Sequence, residues 1–396
     1  MSGSTDLDDR PHGIRSGVLQ AVQSRGAGHV VAWVVVAVLL VRATAVSSSW
    51  FISKIEAGND PFLIGDWLIN FEGGFVRRGI FGQVFETLHL GPLEATLVIQ
   101  ILVLFATFTL LICTLSLLWM ADPVYPWLLV VLSPAFLLFP FLTFSGGFRK
   151  EILGLGSIAL MAVAVRLNRR FALWLGYAAF IISMLVHESI LVAIPTVMWL
   201  LLQARRQEVI GIGMLKLGLA FLAVPVLYTL SALIAGAGSS RKALAICSSL
   251  TDRGFSAHVC SGSIDFLSES FGEALARTVA LAPASLSIPA LGVLSLTPFI
   301  FVGFFPTYWR LIAIQLLALL PLFVVGMDYG RWVFIGVSAL SLAALSVSQR
   351  LKPRGRPIIW VAFGLLMLFW SVPNEPTQFF LNPMRLAWWG LFQNGF

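Results

Sequence analysis

The chain alternates between long apolar runs and short polar segments. A helix needs about 20 residues to cross the hydrocarbon core of a membrane, and several of the runs are shorter than this. Strict alternation of apolar and polar residues, the pattern of half-buried strands, is not found. The sequence therefore predicts an all-α fold, a polytopic transmembrane bundle of about eleven helices. The eleven runs cover residues 29–48, 93–119, 126–147, 152–165, 171–186, 189–203, 209–236, 284–305, 309–327, 332–348 and 357–372.

The polar segments divide the chain into three parts. Residues 1–28 are polar and contain Gly and Ser, which is typical of a disordered tail. Residues 29–372 form a single transmembrane domain with two long loops, 49–92 and 237–283, on one side. Residues 373–396 include Trp388, Trp389 and Phe392 and are predicted to lie at the membrane interface.

The composition supports a membrane protein. Hydrophobic residues make up 58% of the chain and charged residues only 11%, whereas a soluble domain usually carries about 25% charged residues. The formal net charge is +7. We attribute it to basic loops that set membrane topology, so membrane lipid is an expected partner and nucleic acid is not.

Basic residues in the short loops predict the orientation. Arg166, Arg169 and Arg170 form one group, Arg205 and Arg206 a second, and four residues from Arg350 to Arg356 a third. Alternate threading of the runs places all three groups on the side of the N-terminus, which is therefore predicted to be cytoplasmic. Thirteen Arg or Lys and five Asp or Glu lie on that side. The other side has eleven Arg or Lys and fourteen Asp or Glu. The two long loops then lie outside.

Two of the three cysteines, Cys247 and Cys260, lie in the second outer loop. In an oxidising compartment this pair is predicted to form a disulfide, and two free thiols are the alternative. Cys113 lies inside an apolar run and is interpreted as a small buried hydrophobe.

The first outer loop contains the string DWLINFEGGFVRRGIFG, from Asp66 to Gly82. Asp66 and Glu72 are candidate catalytic bases, or ligands for a divalent metal. Arg77 and Arg78 have planar guanidinium groups that suit phosphate oxygens. Alternatively, the string is a solvated re-entrant loop whose charges pair with each other.

Three further motifs are predicted to lie at the same face. Arg149, Lys150 and Glu151 begin an apolar run, and they either bind substrate or extend to the membrane surface. His187 and Glu188 interrupt two apolar runs and are candidate catalytic groups, or a pair that stabilises a turn. The third motif holds Asp328 and Arg331, which either pair with each other or complete a phosphate pocket.

Each motif alone is weak, but all four converge on the outer face. A mixed acidic and basic cavity at a membrane surface suits a substrate with an anionic headgroup and a neutral polar part. A sugar carried on a polyprenyl (pyro)phosphate fits this description. The cations would hold phosphate, and a carboxylate would deprotonate an acceptor hydroxyl.

The string from Asp66 to Gly79, together with the R-K-E, H-E and D-x-G-R-W motifs, resembles bacterial multi-pass membrane proteins of polysaccharide gene clusters. These are similar to exopolysaccharide or O-antigen polymerases and to the C superfamily of membrane glycosyltransferases. The resemblance implies a lipid-phosphate sugar donor and a catalytic carboxylate at Asp66. The separated acidic pair of metal-dependent members is not evident, so a divalent metal is compatible with the resemblance but not implied by it.

The sequence therefore predicts a glycosyltransferase or glycan polymerase in the bacterial cytoplasmic membrane. Its partners would be a polyprenyl-phosphate-linked glycan and other proteins of cell-envelope polysaccharide assembly. The alternative is a transporter or flippase for a lipid-linked or anionic solute, although no internal repeat of the kind found in transporters is seen. A structural subunit of a polysaccharide assembly is a third alternative.

Overall fold

The computed structural model describes residues 26–56, 60–235, 239–285, 287–326, 328–367 and 370–373. Within these ranges all regular structure is helical, which confirms the predicted all-α class. The predicted interfacial tail lies outside the described residues except for position 373, and so does nearly all of the predicted N-terminal tail.

The first half of the bundle contains helices of very different length. In chain order they are α1 (Ala27–Glu56), α2 (Gly65–Leu68), α3 (Gly79–Thr87), α4 (Pro92–Trp119), α5 (Tyr125–Val131), α6 (Phe139–Leu142), α7 (Phe144–Gly147), α8 (Glu151–Arg166) and α9 (Arg170–Val186).

The second half begins with a 3-10 helix, Glu188–Ala193, that leads directly into α10. The α-helices that follow are α10 (Ile194–Arg206), α11 (Ile212–Ala235), α12 (Ser240–Asp252), α13 (Phe271–Ser285), α14 (Ser287–Ser295), α15 (Thr297–Phe301), α16 (Phe304–Val325), α17 (Tyr329–Ser346) and α18 (Pro357–Met367).

Six helices in the described part of the chain are long and apolar enough to cross a membrane. They are Ala27–Glu56, Pro92–Trp119, Glu188–Arg206, Ile212–Ser231, Phe304–Val324 and Tyr329–Ser346. The described residues therefore support a helical membrane protein, and they do not confirm a count of about eleven spans.

The apolar run at 126–147, predicted as one span, instead forms three short helices, α5 to α7. Pro134 and Pro140 interrupt the run, and Gly146–Gly147 ends it. Proline lacks the amide hydrogen of a regular helix and clashes with the preceding turn. Nearly all of this segment between Pro126 and Pro140 is buried in protein, which is where irregular backbone is tolerated in a membrane protein.

Helix α8 lies at the centre of the bundle, against α4, α9 and α17. At two of these contacts a glycine lets the backbones approach closely. A methyl group on Gly156 would lie 2.8 Å from the Ala106 carbonyl oxygen in α4, and one on Gly176 of α9 would lie 3.0 Å from the Ser157 carbonyl oxygen. Close backbone approach through small residues is a common way to pack helices in lipid.

The two ends of the bundle differ in charge. At one end Trp33 of α1 donates a hydrogen bond to the Leu115 carbonyl of α4, and Arg166 donates one to the Met120 carbonyl. Arg350 reaches Gln203 at the same end. We call this the basic end, because the three basic groups identified in the sequence follow the helices that finish here. The opposite end carries both long loops.

Residues 60–91 and 239–270 pack together as one cap over that opposite end. The Arg253 guanidinium lies 2.7 Å from the Glu86 carboxylate, and the Asn70 amide donates hydrogen bonds to Glu86 and to Ser249. The predicted disulfide between Cys247 and Cys260 is present and joins α12 to the 3-10 helix that follows it. Cys113 is buried, as predicted.

We expect Gly82→Ala to destabilise the protein, because the added methyl group would overlap the Ile69 carbonyl beneath α3. Such overpacking costs about 1–3 kcal/mol, more than the up to about 1 kcal/mol gained by replacing a helical glycine. Thermal unfolding in detergent measures the effect. Gly213→Ala is the control, because nothing lies within 4 Å of the added carbon. Equal melting temperatures for the two variants would contradict the packing described.

Candidate functional site

Ten charged or ionisable residues from four segments of the chain meet beneath the cap. We call this group the charge cluster. Its members are Asp66, Arg77, Arg78, Arg149, Lys150, Glu151, His187, Glu188, Asp328 and Arg331. All ten were predicted as site residues from the sequence, and the four motifs that contain them do converge.

The loop between α2 and α3 places Arg78 at the centre of the cluster. Gly74 has φ 99°, a conformation that glycine adopts without strain, and it turns the chain back. Arg78 itself has φ 64°, which is uncommon for a residue with a side chain. Such backbone persists where surrounding contacts hold it in place, and at Arg78 those contacts are ion pairs.

The Arg78 guanidinium joins two carboxylates. Its Nη1 donates to Asp66 Oδ1 at 3.0 Å. Its Nε and Nη2 donate to the Glu188 carboxylate over 2.6–2.9 Å. Arg77 is more distant, with its Nη1 3.5 Å from Glu188 Oε1. Both arginines therefore contact the Glu188 carboxylate, and Arg78 also binds Asp66.

Lys150 fixes Asp66 from the side of α8. Its ammonium donates to the Asp66 backbone carbonyl at 2.5 Å and lies 3.6 Å from Asp66 Oδ2. The same ammonium lies over the Trp67 ring. Arg149 beside it donates to the Phe62 carbonyl at 2.7 Å. Both basic residues of this motif thus hold the first loop against the bundle.

His187 lies between two carboxylates. Its Nδ1 accepts a hydrogen bond from the Ser189 amide, so the proton of the neutral ring is on Nε2. That nitrogen lies 3.7 Å from Asp66 Oδ2 and 3.8 Å from Glu151 Oε1, and it has no hydrogen-bond partner. Glu151 Oε2 is also buried without a partner. Such groups are costly to bury, which marks this point as a place for a further polar atom.

Arg331 closes the far side of the cluster. Its Nη1 donates to Glu151 Oε1 at 3.0 Å, and its Nη2 donates to Asp328. Asp328 and Arg331 therefore pair with each other, one of the two alternatives for this motif, while Arg331 also reaches Glu151.

The surrounding charges shift the pKa of two groups outside the spanning helices. Burial alone would raise the pKa of Asp66, but Lys150 and Arg78 hold it well below its ordinary value. Burial, with a contribution from Arg78, lowers the pKa of His187 to about 4. At neutral pH the cluster therefore contains an ionised Asp66 and a neutral His187.

Exposure divides the cluster into an inner and an outer part. The side chains of Asp66, Lys150, Glu151 and His187 are at most 4% exposed. Arg77 and Asp328 are each 37% exposed, and Arg78 and Glu188 are intermediate. A solute would therefore meet the double arginine or Asp328 before reaching Asp66.

Glu72, the other predicted catalytic acid, is not part of this group. Its side chain is exposed on the cap, where its charge interacts with Arg253. Asn70 and Ser189 were not predicted. Asn70 is fully buried and binds the backbone amide of Glu72 as well as Glu86 and Ser249. The sequence signal that could have identified Asn70 is its position in the DWLIN string, which begins with Asp66.

The carboxylates of the charge cluster are engaged by cations. Among the described residues, no group of three His, Cys, Asp or Glu is arranged to hold a metal ion. The Glu188 carboxylate is bound by Arg78 on both oxygens, and Glu151 is bound by Arg331 and Ser189. The arrangement therefore suits an anionic or hydroxyl-bearing ligand better than a cation.

We expect the protein to lose stability as pH falls from about 6.5 towards 4. The pKa of His187 is lower in the folded protein than its ordinary value of about 6.5. A depressed pKa gives stability that is present above the unfolded pKa and lost as pH approaches the folded one, here about 3 kcal/mol in all. Melting temperatures in detergent between pH 7.5 and 4.5 measure the slope.

His187→Gln should flatten this slope. His258→Gln is the matched control, because His258 is exposed on the cap. An unchanged slope in His187→Gln would show that another group causes the acid sensitivity.

No model of a known protein family matches the chain, and neither a curated protein nor a solved structure does.

Proposed function

We propose that the protein is a membrane glycosyltransferase or glycan polymerase whose sugar donor is carried on a polyprenyl (pyro)phosphate. One observation carries the proposal. A buried, ionised carboxylate, Asp66, lies directly behind a double arginine at one end of a membrane bundle. Anion binding and a carboxylate that can face a hydroxyl are the two requirements of glycosyl transfer from a lipid phosphate.

The two oxygens of Asp66 are engaged differently. Oδ1 accepts a hydrogen bond from Arg78, whereas Oδ2 has only longer contacts, 3.6 Å to Lys150 and 3.7 Å to His187. We assign Oδ2 as the atom that accepts the hydrogen bond of the acceptor hydroxyl. The low pKa makes Asp66 a weak base, so its main effect would be to orient the hydroxyl and accept its proton late in the reaction.

The arginines would bind the donor phosphate. Arg77 and Arg78 lie at the exposed side of the cluster, and a guanidinium group can bind two phosphate oxygens at once. Arg331 is further inside, paired with Glu151 and Asp328. We therefore propose that Arg331 holds Glu151 in place and does not make the first contact with the donor.

The orientation follows from the charge difference between the two ends. The basic end would be cytoplasmic, and the cap would face the outside of the bacterial cytoplasmic membrane. The shorter apolar helices Arg170–Val186, Ala290–Phe301 and Pro357–Met367, together with α8, would add spans to the six long ones and approach the eleven predicted. A disulfide in the cap is compatible with an oxidising outer compartment.

One feature favours a second function. The inner charges are mutually paired and nearly fully buried, as expected if they only hold the bundle together in a structural subunit of a polysaccharide assembly. The Arg77 side chain and the unpartnered atoms of His187 and Glu151 argue for a ligand instead.

The orientation is tested with single cysteines in a Cys113→Ser background. We expect Phe75→Cys, on the exposed cap, to react with a membrane-impermeant thiol reagent applied to intact cells. Arg354→Cys, exposed at the basic end, should react only after the membrane is permeabilised. The reverse labelling would place the charge cluster in the cytoplasm and would remove the argument for a polyprenyl-linked donor.

Function is tested by reconstitution with synthetic polyprenyl-phosphate and polyprenyl-pyrophosphate sugars, followed by mass analysis of the products. We expect Asp66→Asn to lower turnover by about 100-fold or more, as for loss of a proton acceptor, with donor binding kept. Arg78→Lys should weaken both donor binding and turnover, because lysine keeps the charge but cannot bind two oxygens in one plane.

Two controls match these variants. Arg241→Lys changes an exposed arginine of the cap, and Asp265→Asn changes an exposed acid of the cap. Both should keep full activity. Glycan synthesis unaffected by Asp66→Asn and Arg78→Lys would rule out the site. Movement of lipid without any covalent product would identify a transporter.

A further inference from the structure

Glu188 occupies the edge of Arg78 that a phosphate group would use. Arg78 Nε lies 2.9 and 2.8 Å from the two Glu188 oxygens, and Nη2 lies 2.6 Å from Oε1. This pair of donors binds carboxylate and phosphate oxygens with the same geometry. Arg78 Nη1 is bonded separately to Asp66 at 3.0 Å. Arg78 would therefore stay anchored if Glu188 left.

The Glu188 carboxylate is also the one that contacts the exposed Arg77, and at 16% its side chain is more exposed than that of Asp66 or Glu151. The Arg77 side chain is 37% exposed, and its Nη1 approaches Glu188 Oε1 only to 3.5 Å, a loose contact. Behind this layer, Asp66 and Lys150 are 4% and 0% exposed. Glu188 thus lies between solvent and the carboxylate to which we assign the chemistry.

The charges of the cluster leave room for a more highly charged anion. Five cationic side chains face four carboxylates, with His187 neutral. If the Glu188 carboxylate moved away, the excess would be two positive charges. A phosphate monoester or a pyrophosphate carries a matching negative charge, whereas a neutral lipid or sugar does not.

The backbone around Glu188 offers a way to move. His187 is extended, with φ −151° and ψ 119°, and Glu188 begins the 3-10 helix Glu188–Ala193 before regular α-helix resumes at Ile194. Hydrogen bonds of a 3-10 helix have poorer geometry than those of an α-helix, and such segments within a helix often mark hinges. Glu188 therefore stands at the junction between extended and helical backbone, with its partly exposed side chain at the start of the segment.

We propose that Glu188 is an internal placeholder for phosphate. Its carboxylate fills the anion site of Arg77 and Arg78 in this closed state, and an incoming phosphate displaces it and opens the way to Asp66. The proposal depends on the proposed function only for the identity of the ligand as a lipid phosphate. It assigns Glu188 no proton transfer, in contrast to the catalytic role predicted for it from the sequence.

The test is the affinity of the full-length protein in detergent for farnesyl phosphate, inorganic pyrophosphate and farnesol, measured by calorimetry. Glu188→Gln keeps the shape of the side chain and removes its charge. We expect it to tighten farnesyl phosphate binding about tenfold, equal to about 1.4 kcal/mol, with farnesol binding unchanged. Inorganic pyrophosphate that binds the unmodified protein as tightly as farnesyl phosphate would identify free phosphate rather than lipid phosphate as the ligand.

Glu94→Gln is the matched control, since Glu94 is an exposed acid in the first turn of α4. It should bind farnesyl phosphate like the unmodified protein. Glu188→Asp keeps the charge but shortens the side chain, so it should give a smaller gain in affinity. If Glu188→Gln does not fold, the affinity of Glu188→Asp for farnesyl phosphate tests the placeholder instead.

If folded Glu188 variants bind phosphate as the unmodified protein does, or more weakly, Glu188 is not a placeholder. This conclusion does not depend on enzyme activity. The binding assay needs no sugar transfer. Tighter phosphate binding by the variant without any glycan product would therefore support Glu188 as a placeholder and reject the glycosyltransferase proposal. Product formation with unchanged phosphate binding would support the glycosyltransferase and reject the placeholder.

Discussion

The arrangement beneath the cap depends on the contact of Arg78 with Asp66 and Glu188. A charge removed from water loses several kcal/mol of solvation, and only a close and complete set of partners offsets this loss. Arg78 supplies those partners for two carboxylates from different parts of the chain, and Lys150 and Arg331 complete the set. The unusual backbone of Arg78 and the interruption of the span at His187 both serve this contact.

The bundle supplies a rigid frame for these charges. Helix α8 packs closely against α4 at Gly156 and against α9 at Gly176, and Glu151 at its start and Lys150 just before it are buried. The cap is tied down by Arg253, Glu86 and Asn70 at one place and by the disulfide at another. The 3-10 segment that carries Glu188 is itself held by hydrogen bonds from Ser189 to Glu151 and from Gln315 to the Val192 carbonyl, so the movement proposed for Glu188 is one of its side chain.

Apolar periodicity was enough to predict an all-helical membrane protein, because lipid leaves few other ways to satisfy the backbone. It failed at residues 126–147, where hydrophobicity indicates burial but prolines decide the backbone. The sequence also predicted that four distant motifs would meet. It could not predict that Glu72 would face away from the charge cluster. Nor could it predict that Asn70 would be buried within the cap or that Ser189 would bind Glu151. Those outcomes depend on the exact turn at Gly73–Gly74 and on the rotation of the chain after His187, neither of which has a periodic signal.

The long sequence separation of these contacts has a consequence for biogenesis. Lys150 meets Asp66 across 84 residues, Glu188 meets Arg78 across 110, and Arg331 meets Glu151 across 180. The first residue of each pair is made well before its partner. A nascent chain that has not yet released α17 therefore holds Glu151 without Arg331, and an uncompensated buried charge is unfavourable. The charge cluster is complete only once α17 has been made, and until then the early helices depend on water or on the insertion machinery to stabilise their charges.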